Sequence, residues 1–322
     1  MNRRDCLALL GTIAAWPASA PAQQPAAQRR LGVLSVTSAD EVIGQANLVE
    51  ALAAHGWKGE DNLRIDWRSS AGDRTRLAQL ADELIALKPD ILLALGTPSV
   101  EELRRRTTTI PIVFAVVTDP VSQGLVQNLA HPGGNITGFT DYDGPLAGKW
   151  LEMLTQVTPK VSRAFVVYNP ATAPFATLML HTLEEAARTL HVTIEPAPVH
   201  DVASIATLAA RKDGGFLVLP DFFAIANRAP LLAAIEQAHL PAVFCIRAFV
   251  DEGGLMSYST DSAEQLRRAA GYIDRILKGA LPADLPVQNP TKFELAINLK
   301  TARAIGVTLP PGLLAIANEV IE

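Results

Sequence analysis

The sequence predicts an α/β fold of two doubly wound parallel-sheet lobes, joined by a hinge through which the chain crosses three times. Short apolar segments alternate with amphipathic helical segments, which is the pattern of a parallel sheet covered by helices on both faces. The same order of elements begins a second time near residue 163. The chain of 322 residues is also long enough for two compact lobes.

The first half of the chain contains the elements of one lobe. Strands are predicted at residues 31–36, 63–68, 91–95, 110–116 and 135–140. Helices are predicted at residues 44–55, 74–87, 99–106 and 121–129. Thr97 is expected to cap the third of these helices, and Pro98 suits its first turn.

The second half repeats this order with little identity between the residues. Strands are predicted at residues 163–168, 192–196, 215–219 and 241–245. Helices are predicted at residues 175–190, 202–210 and 228–238. The repeat is therefore structural and inferred from pattern, and two such lobes can close on a molecule held between them.

The remaining chain is too short for a third lobe and is expected to join the first two. It contains predicted strands at 253–259 and 292–298 and predicted helices at 262–277 and 299–305. We expect crossings between the lobes near residues 140–144, 257–259 and 286–290. Lobe 1 is thus predicted to comprise residues 31–140 plus 258–287, and lobe 2 residues 141–257 plus 288–322. Three crossings allow a hinge that closes with few strained residues.

The first 22 residues are predicted to be a cleaved export signal, which implies a periplasmic protein. Arg3 and Arg4 precede an apolar stretch at residues 7–16 that is too short to span a bilayer, and small residues follow it. Cleavage is expected after Ala22, with residues 23–30 as a linker. Cys6 stands where twin-arginine signals usually have Phe, so the twin-arginine and general export routes both remain open.

Composition argues against nucleic-acid binding, metal chemistry and common enzyme classes. The net charge is -5 without a long basic run, and the six histidines show no metal-ligand spacing. No G-x-S-x-G elbow or P-loop lysine motif occurs, and the glycine-rich residues 133–138 precede a strand where a dinucleotide site would need a helix. We therefore expect no cofactor, and Cys245, in an apolar run, is expected to be a buried thiol.

Polar residues follow the strands of both halves and predict a ligand site. Strands 91–95 and 110–116 end in hydroxyl and carboxylate residues, at the carboxyl edge where open α/β sheets bind ligands. The helix after Thr97 directs free N–H groups to this edge, and such groups favour a carboxylate. The candidate ligand-binding residues are Ser35, Thr37, Ser38, Thr97, Ser99, Thr118, Asp119, Thr140, Asp141, Asn169, Asp221, Phe222 and Tyr258.

These residue types suit an amino acid, which needs donors for its carboxylate, an acceptor for its ammonium and a wall for its side chain. Thr97 and Ser99 are candidates for the carboxylate, with help from the hydroxyls that end the first strand. One of three aspartates, Asp119, Asp141 or Asp221, is expected to pair with the ammonium. Phe222 and Tyr258 are candidates to stack on an aromatic group. Each residue also has a structural alternative as a cap, turn or core residue, and a sugar is the alternative ligand.

Several segments of the mature chain carry a family resemblance. They are residues 95–98, 117–121, 132–138, 168–170, 253–258, 269–279 and 290–295. With these segments in this order, the chain resembles the periplasmic solute-binding components of ABC transporters, in a group with tryptophan- or tyrosine-binding members. The resemblance implies a type I periplasmic-binding fold with three crossovers, no catalysis and a membrane permease as partner. The chain departs from the family pattern at Ser259, where many relatives carry Gly.

Together these observations predict a solute-binding protein and not an enzyme. We expect a monomer that captures a small ligand between its lobes and delivers it to an ABC permease in the inner membrane. The ligand is expected to be an amino acid or an aromatic carboxylate. The alternative is a ligand-sensing domain that docks on a membrane receptor, and a two-lobe α/β enzyme is less favoured.

Overall fold

The computed structural model describes residues 28–37, 45–59, 61–142, 144–158 and 161–322. The predicted export signal, most of the predicted linker and the candidate residue Ser38 lie outside these ranges. The sequence places Arg29 and Arg30 in the linker, but both belong to the first strand. The carboxylate of Asp90 holds them there, because it accepts hydrogen bonds from the Arg29 guanidinium at 2.7 Å and the Arg30 backbone N–H at 2.8 Å.

The first lobe is built on five strands, which are β1 (Arg29–Ser35), β2 (Leu63–Ser69), β3 (Ile91–Leu95), β4 (Ile112–Val117) and β5 (Ile136–Thr140). They form a parallel sheet in the order β2-β1-β3-β4-β5. The helices that follow the first three strands are α1 (Gln45–Ala54), α2 (Arg74–Ala86) and α3 (Thr97–Arg104). Alternate residues of β3 enter two different apolar clusters, so helices cover both faces of the sheet.

The second lobe contains strands β6 (Arg163–Tyr168), β7 (Thr193–Pro198), β8 (Gly215–Val218), β9 (Ala242–Phe244), β10 (Met256–Thr260), β11 (Phe293–Asn298) and β12 (Glu319–Ile321). They form a seven-stranded sheet in the order β12-β11-β10-β9-β8-β6-β7. Strand β10 pairs antiparallel with β11, and the other neighbouring strands pair in parallel. Two apolar clusters again cover the two faces.

The helices of the second lobe are α4 (Gly144–Val157), α5 (Ala176–Leu190), α6 (Val202–Ala206), α7 (Phe222–Ala226), α8 (Arg228–Ala238), α9 (Ala248–Asp251), α11 (Leu299–Ala304) and α12 (Pro311–Ala315). Helix α10 (Ser262–Leu277) instead packs against α1 and β4 of the first lobe. Within the described ranges, no helix combines the length and apolarity needed to cross a membrane.

The chain crosses between the lobes three times, after β5, after β10 and before β11. The first and third crossings lie side by side, because the Thr140 N–H donates to the Gln288 carbonyl at 3.0 Å and the Gln288 N–H donates to the Gly138 carbonyl at 3.0 Å. The sequence puts the second crossing at residues 257–259 and gives residues 258–260 to lobe 1. The structure keeps all of β10 in the second sheet, since β10 pairs with β11 as far as Thr260.

The predicted fold class is confirmed, because both lobes are α/β layers around largely parallel sheets. Four predicted elements have the observed bounds, namely β3, β6, α8 and α10. Each is a regular apolar pattern bounded by clear signals. Helix α10, for example, follows Asp261, whose carboxylate caps it by accepting from the Glu264 N–H at 2.9 Å.

Two local predictions are wrong, and one helix is not predicted. Residues 121–129 form turns and not a helix, because Gly124 takes the left-handed φ of +64° and the carbonyl of Pro120 accepts from the N–H of Leu125. Thr97 does not cap α3, since Gly96 occupies the N-cap position and Thr97 is the first helical residue. No element is predicted between residues 141 and 162, where α4 buries Trp150 completely.

Candidate functional site

Loops from both lobes meet at one edge of the molecule. We call this the interlobe edge and define it as residues 96–99 and 118–121 of lobe 1 together with residues 169–173 and 219–223 of lobe 2. These loops follow β3 and β4 in the first sheet, and β6 and β8 in the second. They therefore carry the residues that the sequence selects from the strand ends.

The two lobes touch through Phe222 and Gly96. The Phe222 ring, at the start of α7, lies so close to Gly96 that a Cβ added there would be 2.4 Å from its Cζ atom. That Cβ would also lie 3.3 Å from Val36. A second contact joins the lobes where the Arg74 guanidinium donates to the Ala171 carbonyl at 3.1 Å. Phe222 thus packs on the opposite lobe.

Asp221 is fully buried, and protein donors surround its carboxylate. It accepts from the backbone N–H of Asn169 at 2.6 Å, from the N–H of Phe223 at 3.0 Å and from the Thr172 hydroxyl. Burial raises the pKa of Asp221, and these hydrogen bonds oppose the rise. The side chain of Asn169 is also used locally, since its Oδ1 accepts from the Ala171 N–H at 2.8 Å. Asp221 and Asn169 therefore order the turn after β6.

The hydroxyl candidates of lobe 1 divide into internal and edge groups. The fully buried Ser99 donates to the Leu95 carbonyl at 2.8 Å, so its hydroxyl binds the end of β3. The Ser35 and Thr37 hydroxyls lie 2.9 Å apart at the end of β1. Thr97 begins α3 and is 5% exposed at the interlobe edge.

Asp141 is the most unusual carboxylate of the interlobe region. It is 4% exposed and accepts from the Thr118 hydroxyl at 2.8 Å. Burial raises its pKa to about 7, opposed by the Thr118 hydroxyl and by the backbone N–H groups of residues 141 and 142. No ion pair links Asp141 to a basic side chain in the described part of the chain.

Asp141 also lies between the carboxyl ends of β4 and β9. Its partner Thr118 follows β4, and its charge adds to burial in raising the pKa of the Cys245 thiol, which follows β9. The next residue, Tyr142, donates its hydroxyl to the Cys245 carbonyl. The first crossing therefore places one carboxylate between both lobes.

Asp119, Thr140 and Tyr258 have local roles. Asp119 takes the left-handed φ of +44° and accepts from the Ser122 N–H at 3.2 Å, so it closes a turn at the rim. The Thr140 hydroxyl donates to Asn289 at 2.9 Å between two crossings. The Tyr258 ring stacks on Phe293, with ring centroids 5.6 Å apart, and packs against a core cluster of lobe 2. The structure therefore does not bring Tyr258 to the interlobe edge.

A pocket beside the interlobe edge is not anticipated by the sequence. It has a volume of about 250 Å³ and lies between residues 118–121 and Leu129 of lobe 1 and the first turns of α5 in lobe 2. Its apolar walls include Phe175 and Met179, and Tyr142 of the first crossing also lines it. Helical periodicity would assign Phe175 and Met179 to the core. Only the relative position of the lobes reveals the pocket.

The described residues offer little evidence for a metal site or for a ligand site away from the interlobe edge. No group of three or more His, Cys, Asp or Glu side chains within them is placed to hold a metal ion. A groove of about 330 Å³ lies between α8 and α11, and another of about 450 Å³ lies beside Arg29 and Gly279. Neither groove is lined by a residue of the interlobe edge.

Comparisons with known proteins agree with this architecture. A tyrosine-binding protein of Clostridioides difficile is 27% identical over 262 residues, which cover 80% of this chain and 74% of the relative. The structure of an ABC domain in complex with L-Trp from Streptococcus pneumoniae superposes with a TM-score of 0.84 at 26% identity, covering 92% of this chain and 100% of the other. A conserved domain protein of Vibrio cholerae gives a TM-score of 0.85 at 28% identity, covering 91% of this chain and 99% of the other.

A family description matches nearly the whole described chain, over residues 32–321. The match covers both lobes and all three crossings. The chain belongs to the family of ABC transporter substrate binding proteins.

Proposed function

We propose that the protein is a periplasmic solute-binding protein, exported through its first 22 residues, that captures an amino acid between its lobes. It then delivers this ligand, as a monomer, to an ABC permease of the inner membrane. The observation that carries the amino-acid assignment is the buried carboxylate of Asp141, which lies between the lobes beside Thr118. An aromatic carboxylate is the related ligand class that lacks the ammonium.

Asp141 suits the ammonium end of the ligand. An ionised carboxylate is costly to bury unless a cation or several donors compensate it. Thr118 and two backbone N–H groups supply part of this compensation. A ligand ammonium would supply the missing positive charge, and a charge-assisted hydrogen bond of this kind contributes about 1.5–3 kcal/mol. Asp221 is less suited, because three protein donors already surround it.

Thr97 suits the carboxylate end. It is the first residue of the eight-residue helix α3 and offers both a hydroxyl and a backbone N–H at the interlobe edge. The positive end of a helix favours an anion there. Thr97 and Thr118 follow neighbouring strands of the same sheet, β3 and β4. The two ends of one amino acid would therefore bind to one sheet edge.

The contacts between the lobes support capture by closure. Phe222 on Gly96 and Arg74 on Ala171 join the two lobes across the interlobe edge. A ligand that binds both lobes shifts the population toward this closed form. The similar structure in complex with L-Trp and the similar tyrosine-binding protein support an amino acid as the ligand and transport as its fate.

A ligand screen tests the proposal directly. Protein that begins at Gln23 would be mixed with the amino acids, aromatic acids and common sugars, and hits from thermal shift would be confirmed by calorimetry. A ligand at a hundred times its Kd stabilises a protein by about 2.7 kcal/mol. Micromolar binding of amino acids without turnover is the expected result. Binding of sugars alone, or consumption of a compound, would contradict it.

Two matched variants then test the role of Asp141. Asp141→Asn removes the charge and should weaken amino-acid binding about 10- to 100-fold, the equivalent of one charge-assisted hydrogen bond. Asp213→Asn makes the same change in an exposed turn of lobe 2 with a φ of +57°, outside the interlobe edge and its pocket, and should leave Kd within about twofold. Equal effects of the two substitutions would remove Asp141 from its proposed role.

A further inference from the structure

The interlobe pocket has one apolar wall from each lobe. Pro120 and Leu129 contribute the wall of lobe 1, and Phe175, Leu178 and Met179 of the α5 region contribute the wall of lobe 2. A molecule in this pocket would therefore contact both lobes at once. Leu178 is 47% exposed at this position, although most large apolar side chains of the described chain are buried.

The volume of the pocket fits part of a ligand better than a whole one. Pockets that enclose a complete small molecule usually have about 300–1,000 Å³. This pocket has about 250 Å³. A dry apolar cavity of about 150 Å³ already accepts a benzene ring. The space therefore suits a large hydrocarbon or aromatic side chain, while the polar groups of the ligand stay outside it.

Thr118 connects the pocket to the proposed ammonium site. Thr118 lines the pocket and donates its hydroxyl to Asp141 at 2.8 Å. Tyr142, which follows Asp141 in the chain, also lines it. A ligand whose ammonium pairs with Asp141 would thus lie next to Thr118, a residue of the pocket wall.

We infer that the interlobe pocket holds the side chain of the bound amino acid and selects large uncharged side chains, with Leu178 as a specificity-determining residue. This inference rests on the proposed function and deepens it. Apolar walls favour hydrocarbon surface in proportion to the area removed from water. Asp119 is the one carboxylate that lines the pocket. It lies in a turn at the rim, where it accepts a hydrogen bond from the Ser122 N–H at 3.2 Å.

A ligand series on the unmodified protein is the first part of the test. Calorimetry would compare L-alanine, L-leucine, L-phenylalanine, L-tryptophan and L-arginine. We expect the leucine, phenylalanine and tryptophan affinities to exceed that of alanine at least tenfold. Arginine is included because Asp119 could instead attract a basic side chain, and its affinity should remain below that of phenylalanine.

A pair of adjacent substitutions is the second part. Leu178→Asp places a carboxylate in the apolar wall, whereas Thr177→Asp places one on the exposed neighbour that does not line the pocket. Both positions lie in the first turn of α5, where a negative charge suits the helix dipole, so folding should be retained in both variants. Leu178→Asp should weaken phenylalanine and tryptophan binding at least fivefold, and Thr177→Asp by less than twofold.

The outcomes separate this inference from the proposed function. Equal affinity for alanine and phenylalanine, tighter binding of arginine, or equal effects of the two substitutions would overturn the inference and leave an amino-acid-binding protein. Failure of the unmodified protein to bind any amino acid would overturn the proposed ligand class, and the inference with it. If Leu178→Asp did not fold, the uncharged Leu178→Gln would take its place, with Thr177→Gln as its control, and the same comparison would be made.

Discussion

The ring of Phe222 in lobe 2 packs against Gly96 in lobe 1, at the end of strand β3. Gly96 has a φ of +84°, and a Cβ there would lie 2.4 Å from the Phe222 ring. Glycine is therefore needed at this position for two reasons: it tolerates the positive φ, and it leaves room for the Phe222 ring of the other lobe. The contact can form only when the lobes come together, so it reports on closure.

A double-mutant cycle should separate these two requirements. Gly96→Ala strains the backbone by about 1–3 kcal/mol in every background, because β-carbons are disfavoured at this φ. It also blocks closure, but only while Phe222 is present. We therefore expect Gly96→Ala to weaken ligand binding at least tenfold in the unmodified protein and much less in a Phe222→Ala background, as measured by calorimetry with the best ligand of the screen.

Gly56→Ala is the control for backbone strain alone. Gly56 has a φ of +91°, and no atom lies within 4 Å of its Cβ position. Its substitution should lower the melting temperature without changing Kd. If Gly96→Ala weakened binding equally in both backgrounds, the Phe222 contact would not contribute to closure.

The sequence predicts the strand ends but not how the two lobes meet. The position of Thr97, Thr118 and Asp221 after apolar runs is a local signal, and parallel strands bring such residues to one sheet edge. The Gly96–Phe222 contact joins residues more than a hundred positions apart, and the two walls of the interlobe pocket come from the separate segments 118–129 and 175–182. Their geometry depends on the hinge, which has no periodic pattern to reveal it.

The three candidate aspartates illustrate the same difference. In the sequence, Asp119, Asp141 and Asp221 are all single carboxylates that follow apolar runs. In the structure, Asp119 closes a turn, Asp141 is buried at the first crossing, and Asp221 accepts from three donors. These contacts are not visible in the sequence.

The helix predicted at residues 121–129 is absent because a turn satisfies the same apolar pattern. Leu125 and Val126 are buried as a helical pattern suggests, but the turn at Gly124 achieves their burial.

Asp141 should make the ligand-free protein less stable as the pH rises. Burial raises its pKa from the ordinary 3.8 to about 7. Between these values the folded state keeps a proton that the unfolded state has lost. The free energy of unfolding should therefore fall with rising pH, by at most about 1.4 kcal/mol per pH unit, and this contribution is lost once the pH exceeds about 7.

Urea denaturation of the unmodified protein and Asp141→Asn at pH 5, 6, 7 and 8 measures this effect. At each pH, the difference between the free energies of unfolding of the two proteins cancels the contributions of the other titrating groups. The stability of Asp141→Asn relative to the unmodified protein should increase from pH 5 to pH 7 and then level off. A difference that stays constant over this range would show that the pKa of Asp141 is not raised.

Asp221 should matter for stability more than for direct ligand contact. Asp221→Ala would leave the N–H groups of Asn169 and Phe223 without their acceptor, and two unsatisfied donors cost about 2–4 kcal/mol in the free energy of unfolding. Thr172→Val removes one donor from the same carboxylate and should cost about 1 kcal/mol. Urea denaturation of both variants tests the order, and a smaller loss for Asp221→Ala than for Thr172→Val would contradict it.

Ligand affinity should show the opposite pH dependence to stability, because the proposed ammonium contact needs the ionised form of Asp141. Burial holds the pKa values of the neighbouring Tyr142 and Cys245 well above their ordinary values, so both stay neutral at physiological pH. The affinity for L-tryptophan should thus rise from pH 5 to pH 7, by at most about tenfold per pH unit, and then level off.

Calorimetry would compare the unmodified protein with Asp141→Asn, whose affinity should not change with pH. Indole-3-propionate, which lacks the ammonium, should bind the unmodified protein without this rise. An identical rise for both ligands would assign the pH dependence to another group.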